Sequence, residues 1–216
     1  MEFSGKKVTV VGTGISGIGA VGLLNAVGAE VVLYDGNEKL KIEDIEKKLG
    51  TYKAEIVLGE LTKELTDSSD LLVISPGVPI DSPVVKAFEA AGVPVWGEVE
   101  LAYAFDKGKV LAITGTNGKT TTTALVGQIV GAYHKDTFVV GNIGNPYTTE
   151  VLKSNKDSYT VAEISSFQLE TVHEFHPLVS AILNITPDHL NRHYTMDCYV
   201  QTKEKIAMNQ KGSEVC

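Results

Sequence analysis

A β-branched run, Val8 to Val11, opens onto glycines, then a stretch of small residues with helical character, then a second apolar run ending at Asp35. The alternation continues with a charged helix near Lys41 to Leu49, short strands near Glu55 to Leu58 and Leu71 to Ile74, a helix near Ser82 to Ala91 and a strand at Val93 to Trp96. Strands and helices in strict succession predict a parallel sheet covered by helices on both faces. The polar stretch "AYAFDKGK", Ala102 to Lys109, interrupts the series and suggests a boundary between a first domain, 1–107, and a second, 108–216. Beyond it a strand at Val110 to Thr114 runs into a helix from about Lys119 to Gly131. Further strands are expected near Thr137 to Val140, Tyr159 to Ile164 and Val179 to Leu183, and a helix at Tyr199 to Met208. Val215 and Cys216 read as the start of another strand.

Composition narrows the class of partner. The 216 residues are 43% hydrophobic and 21% charged, the balance of a soluble globular chain with a proper core. A net charge of −8 argues against a nucleic-acid backbone as main partner, because no basic surplus exists to displace counterions. It leaves room for phosphorylated small molecules, which need only a few donors in one place. The two cysteines, Cys198 and Cys216, form no CxxC pair, so a reducing cytoplasm is the expected setting. The apolar run after Lys6-Lys7 is too short for a signal or membrane segment, and no membrane partner is expected.

Two glycine-rich turns carry the candidate chemistry. Gly12-Thr13-Gly14-Ile15-Ser16-Gly17 fits GxGxxG, follows a strand, opens a helix and is trailed by Asp35 at the end of the next strand. Backbone N–H groups at a helix start make an anion site, and glycines permit close approach to a pyrophosphate. By itself the turn is open to three readings: a nicotinamide or flavin site, a turn needed only for packing, or a site for another pyrophosphate-bearing ligand. The second turn, "TGTNGKTT", places Gly118-Lys119-Thr120 between a strand and a helix. The usual phosphate loop has a glycine five residues before the Gly-Lys pair. Here that position is Ile113 and the nearer glycine is Gly115, so the loop is shortened. Lys119 can meet β- and γ-phosphates, and the Thr120 hydroxyl can sit on magnesium. Thr121 to Thr123 are poor helix formers, so propensity alone does not start the helix.

Three further clusters fall where successive strands should end: Asn142 in "VVGNIGNP", Glu163 with Ser165 and Ser166 in "TVAEISSFQLE", and Asn184, Asp188, His189, Arg192 and His193 in "AILNITPDHLNRH". The carboxyl ends of parallel strands share one edge, where ligands bind. A lone histidine is more often a hydrogen-bonded structural residue, and a buried glutamate is costly unless paired or metal-bound. Convergence on one edge shifts Glu163 and His189 towards function.

"GTNGKTTT", "EISSFQLE" and "NITPDHLNRH" together resemble the Mur ligase family of peptidoglycan synthesis, and the likeness extends through "SPGVP" (Ser75 to Pro79) and "GEVEL" (Gly97 to Leu101). The resemblance implies a Rossmann-like first domain that holds the UDP part of a UDP-linked sugar-peptide, followed by a P-loop-type α/β ATPase domain. It implies a ligase that activates a substrate carboxylate with ATP as an acyl phosphate, which the amino group of D-glutamate attacks. Gly115, Thr116, Asn117, Gly118, Lys119, Thr120 and Thr121 would bind ATP; Gly14, Ile15, Ser16, Asp35, Gly77, Asn142 and Ser165 would bind the UDP-linked substrate. The implied catalytic set is Lys119, Glu163, His189 and Lys203, and magnesium would be held by Thr120, Glu163, His189 and Lys203. Lys203 would serve as a carbamate formed with carbon dioxide; without the resemblance, it and Lys205 read as surface charges of a helix. The family's three-domain plan implies that the second domain is incomplete here and a third absent, so that this chain alone is inactive; the protein is expected to be a monomer. Two other functions remain open on the residues: a nicotinamide-dependent oxidoreductase, which leaves the second phosphate loop unexplained, and a noncatalytic nucleotide-binding module.

Overall fold

The computed structural model describes residues 2–142, 144–212 and 214–216. Five parallel strands, β1 (Lys7–Val11), β2 (Glu30–Asp35), β3 (Glu55–Leu58), β4 (Leu71–Ile74) and β5 (Val95–Gly97), form the first sheet in the order β3-β2-β1-β4-β5. Helices α1 (Ile15–Ala26), α2 (Ile42–Leu49), α3 (Lys63–Ser68), α4 (Pro83–Ala90) and α5 (Glu98–Tyr103) follow the strands in turn. The continuous apolar strands explain why both faces are covered. Val8, Val10, Val31, Leu33, Leu71 and Val73 point into one core with α1 and α5. Their neighbours Val11, Val32, Tyr34, Leu72 and Ile74 point into another with Leu65, Val85 and Phe88 of α3 and α4. Thr9, fully buried within β1, is satisfied by a 2.8 Å hydrogen bond to the Ser69 hydroxyl.

The second sheet has the order β7-β8-β6-β9, all parallel, from β6 (Lys109–Thr114), β7 (Thr137–Gly141), β8 (Tyr159–Glu163) and β9 (Val179–Ile182). Val215 makes an isolated parallel bridge to Val179 at the β9 edge. The helices are α6 (Lys119–Tyr133), α7 (Tyr147–Glu150), α8 (Ser166–Leu169), α9 (Leu190–His193) and α10 (Met196–Glu204). The core against α1 and α5 continues without a break through Val110, Ala112, Val140, Tyr147, Ile164 and Phe175. The intervening polar stretch is also tied down. Asp106 accepts from Tyr147 at 2.6 Å, Thr160 at 2.8 Å and the Gly108 N–H at 2.7 Å. Both Glu100 oxygens accept backbone N–H groups of His173, Glu174 and Phe175. Among the described residues no helix is long and apolar enough to cross a membrane.

Periodicity missed α3, α5, α7, α8 and α9, all short, and misplaced one helix start. The helix expected from Tyr199 begins at Met196 because the Thr195 side chain caps it, accepting from Cys198 N–H at 3.1 Å; it gives way after Glu204 to a 3-10 turn, Lys205–Ala207. Thr62 caps α3 in the same way.

Gly17 shows why α1 can start so close to β1. A Cβ there would lie 1.9 Å from the Gly12 carbonyl oxygen, which is backbone and cannot swing aside. Gly17→Ala is expected to cost about 2 kcal/mol or more, as overpacking of a filled site does. Thermal unfolding of the 216-residue chain as one cooperative unit should read this as a drop of roughly 4–8 °C; an unchanged midpoint would contradict the packing.

Candidate active site

The shortened phosphate loop is held by the segment after β9. Thr116 N–H donates to Asn184 O at 2.9 Å, Asn117 N–H donates to Asn184 Oδ1 at 2.9 Å, and Asn184 Nδ2 donates back to Asn117 O at 3.0 Å. The Thr116 hydroxyl accepts from Thr186 N–H at 3.0 Å and lies 3.2 Å from the Tyr199 hydroxyl of α10. Gly118 caps α6 in the left-handed region, φ 83°, where a side chain is disfavoured. Lys119 Nζ folds back on the loop, donating to Gly115 O at 3.0 Å and Thr116 O at 2.9 Å.

Lys203 arrives at the same carbonyl from α10, donating to Gly115 O at 2.9 Å, with Thr114 Oγ1 at 3.5 Å. It is 1% exposed, not one of the surface lysines its helix setting suggests. Burial first, and the nearby Lys119 cation second, push its pKa down to about 8.

β8 delivers Glu163, 1% exposed, to the other side of the loop. Its Oε2 accepts from the Thr120 hydroxyl at 2.9 Å and its Oε1 from Asn142 Nδ2 at 2.8 Å. Gly141 allows this approach: its φ is 108°, and a Cβ would meet the Glu163 carbonyl oxygen at 2.1 Å. Thr120, Asn142 and Glu163 are thus brought together. His189 makes other contacts, its Nε2 3.5 Å from Asp188 Oδ2 and its ring 5.0 Å from that of Phe167. It caps α9 at φ 52°, a strained conformation for a histidine, and its side chain is half exposed. Among the described residues no group of three His, Cys, Asp or Glu side chains is placed to hold a metal ion. The donor set fits magnesium all the same, since that ion takes one or two carboxylates and fills its other positions with phosphates and water. Glu163 and the Thr120 hydroxyl are the pair that would hold it.

The first glycine turn lies at the carboxyl end of β1, where strand order reverses between β1 and β4, the place where such sheets bind ligands. Gly14 starts α1 with no side-chain cap and no acidic residue in the first turn, which leaves its N–H groups free for an anion. The Asp35 carboxylate accepts from the Thr13 hydroxyl at 3.0 Å and Asn37 N–H at 3.1 Å. Gly77 sits in the open loop after β4, beside Val78, whose carbonyl accepts from Arg192 Nη2 at 2.8 Å. Ser165 caps α8 in a reciprocal box with Gln168. A cavity of about 550 Å³ opens between Gly14, Ile15, Lys48 and Tyr52 of the first sheet's side and Asn145 and Pro146 of the second's.

Sequence reasoning passed over Glu98, Gln168 and Tyr199, which the fold brings to this region. "GEVEL" and "SSFQLE" contain the first two, but nothing in the sequence shows that they meet.

A shortened phosphate loop, with a buried lysine and a buried glutamate beside it, lies behind a Rossmann-like domain in a two-sheet α/β protein. The profile of the Mur ligase middle domain matches residues 113–216, and that of the Mur ligase MurD-like N-terminal domain matches residues 6–97. The chain belongs to the Mur ligase family. Its first domain is of the MurD-like kind. It is 70% identical over 216 residues to a UDP-N-acetylmuramoylalanine–D-glutamate ligase of Lachnospira eligens, covering all of this chain and 48% of that protein. The corresponding Clostridioides difficile ligase is 44% identical over 218 residues, again with 100% and 48% covered. The chain thus spans about half the length of the curated relatives it matches. Among solved structures, a UDP-N-acetylmuramate:L-alanyl-gamma-D-glutamyl-meso-diaminopimelate ligase from Neisseria meningitides aligns over 98% of this chain and 71% of its own, with a TM-score of 0.59 and 16% identity. A murein peptide ligase from Psychrobacter arcticus aligns over 94% and 47%, with a TM-score of 0.53 and 18% identity. At such identities the likeness speaks to the fold.

Proposed function

We propose that a protein of the relatives' full length carrying this sequence joins D-glutamate to UDP-N-acetylmuramoyl-L-alanine at the expense of ATP, in the cytoplasm and as a monomer. The domain boundary is placed between residues 107 and 108, with the UDP-linked substrate on the first domain and ATP on the second. The observation that carries the reading is the meeting of Lys119 and Lys203 on the Gly115 carbonyl, across the loop from Glu163.

Two of the three ammonium N–H groups of Lys119 are spent on loop carbonyls, which leaves the third for a transferring phosphoryl oxygen. Glu163 and Thr120 would hold magnesium, which supplies charge neutralisation on the phosphates when bound. Asn142, bonded to Glu163, fixes that carboxylate's rotamer. The carboxylate of the substrate, whose UDP part lies on the first-domain turn and which Ser165 also contacts, attacks the terminal phosphorus; ADP leaves and an acyl phosphate forms. The amine of D-glutamate then displaces phosphate to give the amide. His189 is assigned to this site as a ligand of magnesium or of substrate, a role its half-exposed ring leaves it free to take. Lys203 is assigned a carbamate role beside it.

Calorimetric titration tests the reading. UDP-N-acetylmuramoyl-L-alanine and ATP should both bind and NAD should not. Magnesium should tighten ATP binding to the native protein and leave its binding to Glu163→Ala unchanged. Binding of NAD with no response to the UDP ligand, or an equal magnesium effect in the variant, overturns the assignment.

A further inference from the structure

Glu98 opens α5 and is 5% exposed, yet it belongs to neither the phosphate loop nor the glycine turn. Its Oε1 accepts from Gln168 Nε2 of α8 at 2.7 Å. Gln168 Oε1 in turn accepts from Ser165 N–H at 2.8 Å, and Ser165 Oγ accepts from Gln168 N–H at 3.2 Å. The Gln168 amide is therefore fixed from both ends, its Nε2–H by the Glu98 carboxyl and its Oε1 by the Ser165 N–H, so Glu98 locks the turn against rotation. Glu98 Oε2 is buried with no hydrogen-bond partner. The Ser16 side chain of the first glycine turn lies beside the same carboxyl.

The crossing is tight. A Cβ on Gly97 would fall 2.2 Å from Thr171 Oγ1, so the start of α5 is pressed against the segment after α8.

We propose that Glu98 is a positioning residue that holds Ser16 of the first domain and the Gln168–Ser165 turn of the second in one register for a ligand that spans both. This rests on the assignment of Ser16 and Ser165 to the UDP-linked substrate. Burial raises the Glu98 pKa, with Ser16 and Gln168 the neighbours that oppose the rise. Glutamine at 98 keeps an oxygen that can accept from Gln168 Nε2 in nearly the same space.

The test compares native protein, Glu98→Ala and Glu98→Gln by calorimetry with UDP-N-acetylmuramoyl-L-alanine, and with ATP as the control for an intact second domain. Glu98→Ala is expected to bind the UDP ligand about tenfold more weakly, the size of one lost hydrogen bond, with ATP affinity unchanged. Glu98→Gln is expected to stay within about threefold of native protein for both ligands. If Glu98→Ala does not fold, Glu98→Leu, which fills the same space without polar atoms, takes its place. Equal UDP-ligand affinity in native and Ala (or Leu) proteins, parallel losses for both ligands, or a glutamine variant as weak as alanine overturns the proposal alone. A native protein that does not bind the UDP ligand removes the underlying reading, and this proposal with it.

Discussion

Lys119→Ala is expected to slow acyl-phosphate formation by on the order of 100-fold or more in a protein of the relatives' full length carrying this sequence. The ammonium is preorganised, with two N–H groups fixed on Gly115 O and Thr116 O before any phosphate arrives. Charge aimed in advance at the transferring phosphoryl group is the main device of such reactions, because it needs no reorganisation at the moment of transfer. ADP formation with the UDP-linked substrate in a single turnover measures the step. Lys119→Arg should not restore it, since a planar guanidinium cannot make the same contacts in a loop shaped around a compact ammonium. Near-normal ADP formation in Lys119→Ala would sink the assignment.

Lys203 is the second position with a large expected effect. With its pKa near 8, roughly one amine in ten is neutral at pH 7, against fewer than one in a thousand for an ordinary lysine. A neutral amine can attack carbon dioxide; the new C–N bond leaves a carbamate and a proton goes to solvent. The product carries negative charge a few ångströms from the Lys119 cation, so a repulsive pair becomes an attractive one. Lys203→Ala is expected to lose about 100-fold or more of activity and to regain part of it when short-chain carboxylic acids are added to take the carbamate's place. Full activity in Lys203→Ala would leave this lysine a structural charge.

The unmodified amine also makes a pH prediction. Its folded pKa lies below the unfolded value of 10.5, so the unfolded chain binds more protons between about pH 8 and that value. Stability should therefore rise with pH through that window, and the cost of burying the cation should be fully present below pH 8. Urea unfolding of the native chain and Lys203→Met across this range should show the gain in the native protein only.

The parallel α/β architecture and the two glycine turns were legible from the residues. Strands such as Val8 to Val11 are continuous apolar runs because both their faces are buried, and the glycines of GxGxxG mark where backbone must approach backbone. The shortened phosphate loop was legible for a similar local reason: strand, turn, lysine and hydroxyl are adjacent in the chain. The short helices were not, since α5 and α8 have too few residues to display a period. Residue pattern alone did not distinguish Lys203 from Lys205; only the family resemblance singled out Lys203. Helical spacing places both on α10 and its end, but burial is decided by what packs there. Only the fold puts Lys203 under the Gly115 carbonyl and leaves Lys205 on the Glu170 carbonyl at the surface of the core. The meeting of Glu98 with Gln168, 70 residues apart, was likewise invisible. Local chemistry is written in neighbouring residues, whereas the electrostatics of a buried group depends on partners that the chain's path alone brings within reach.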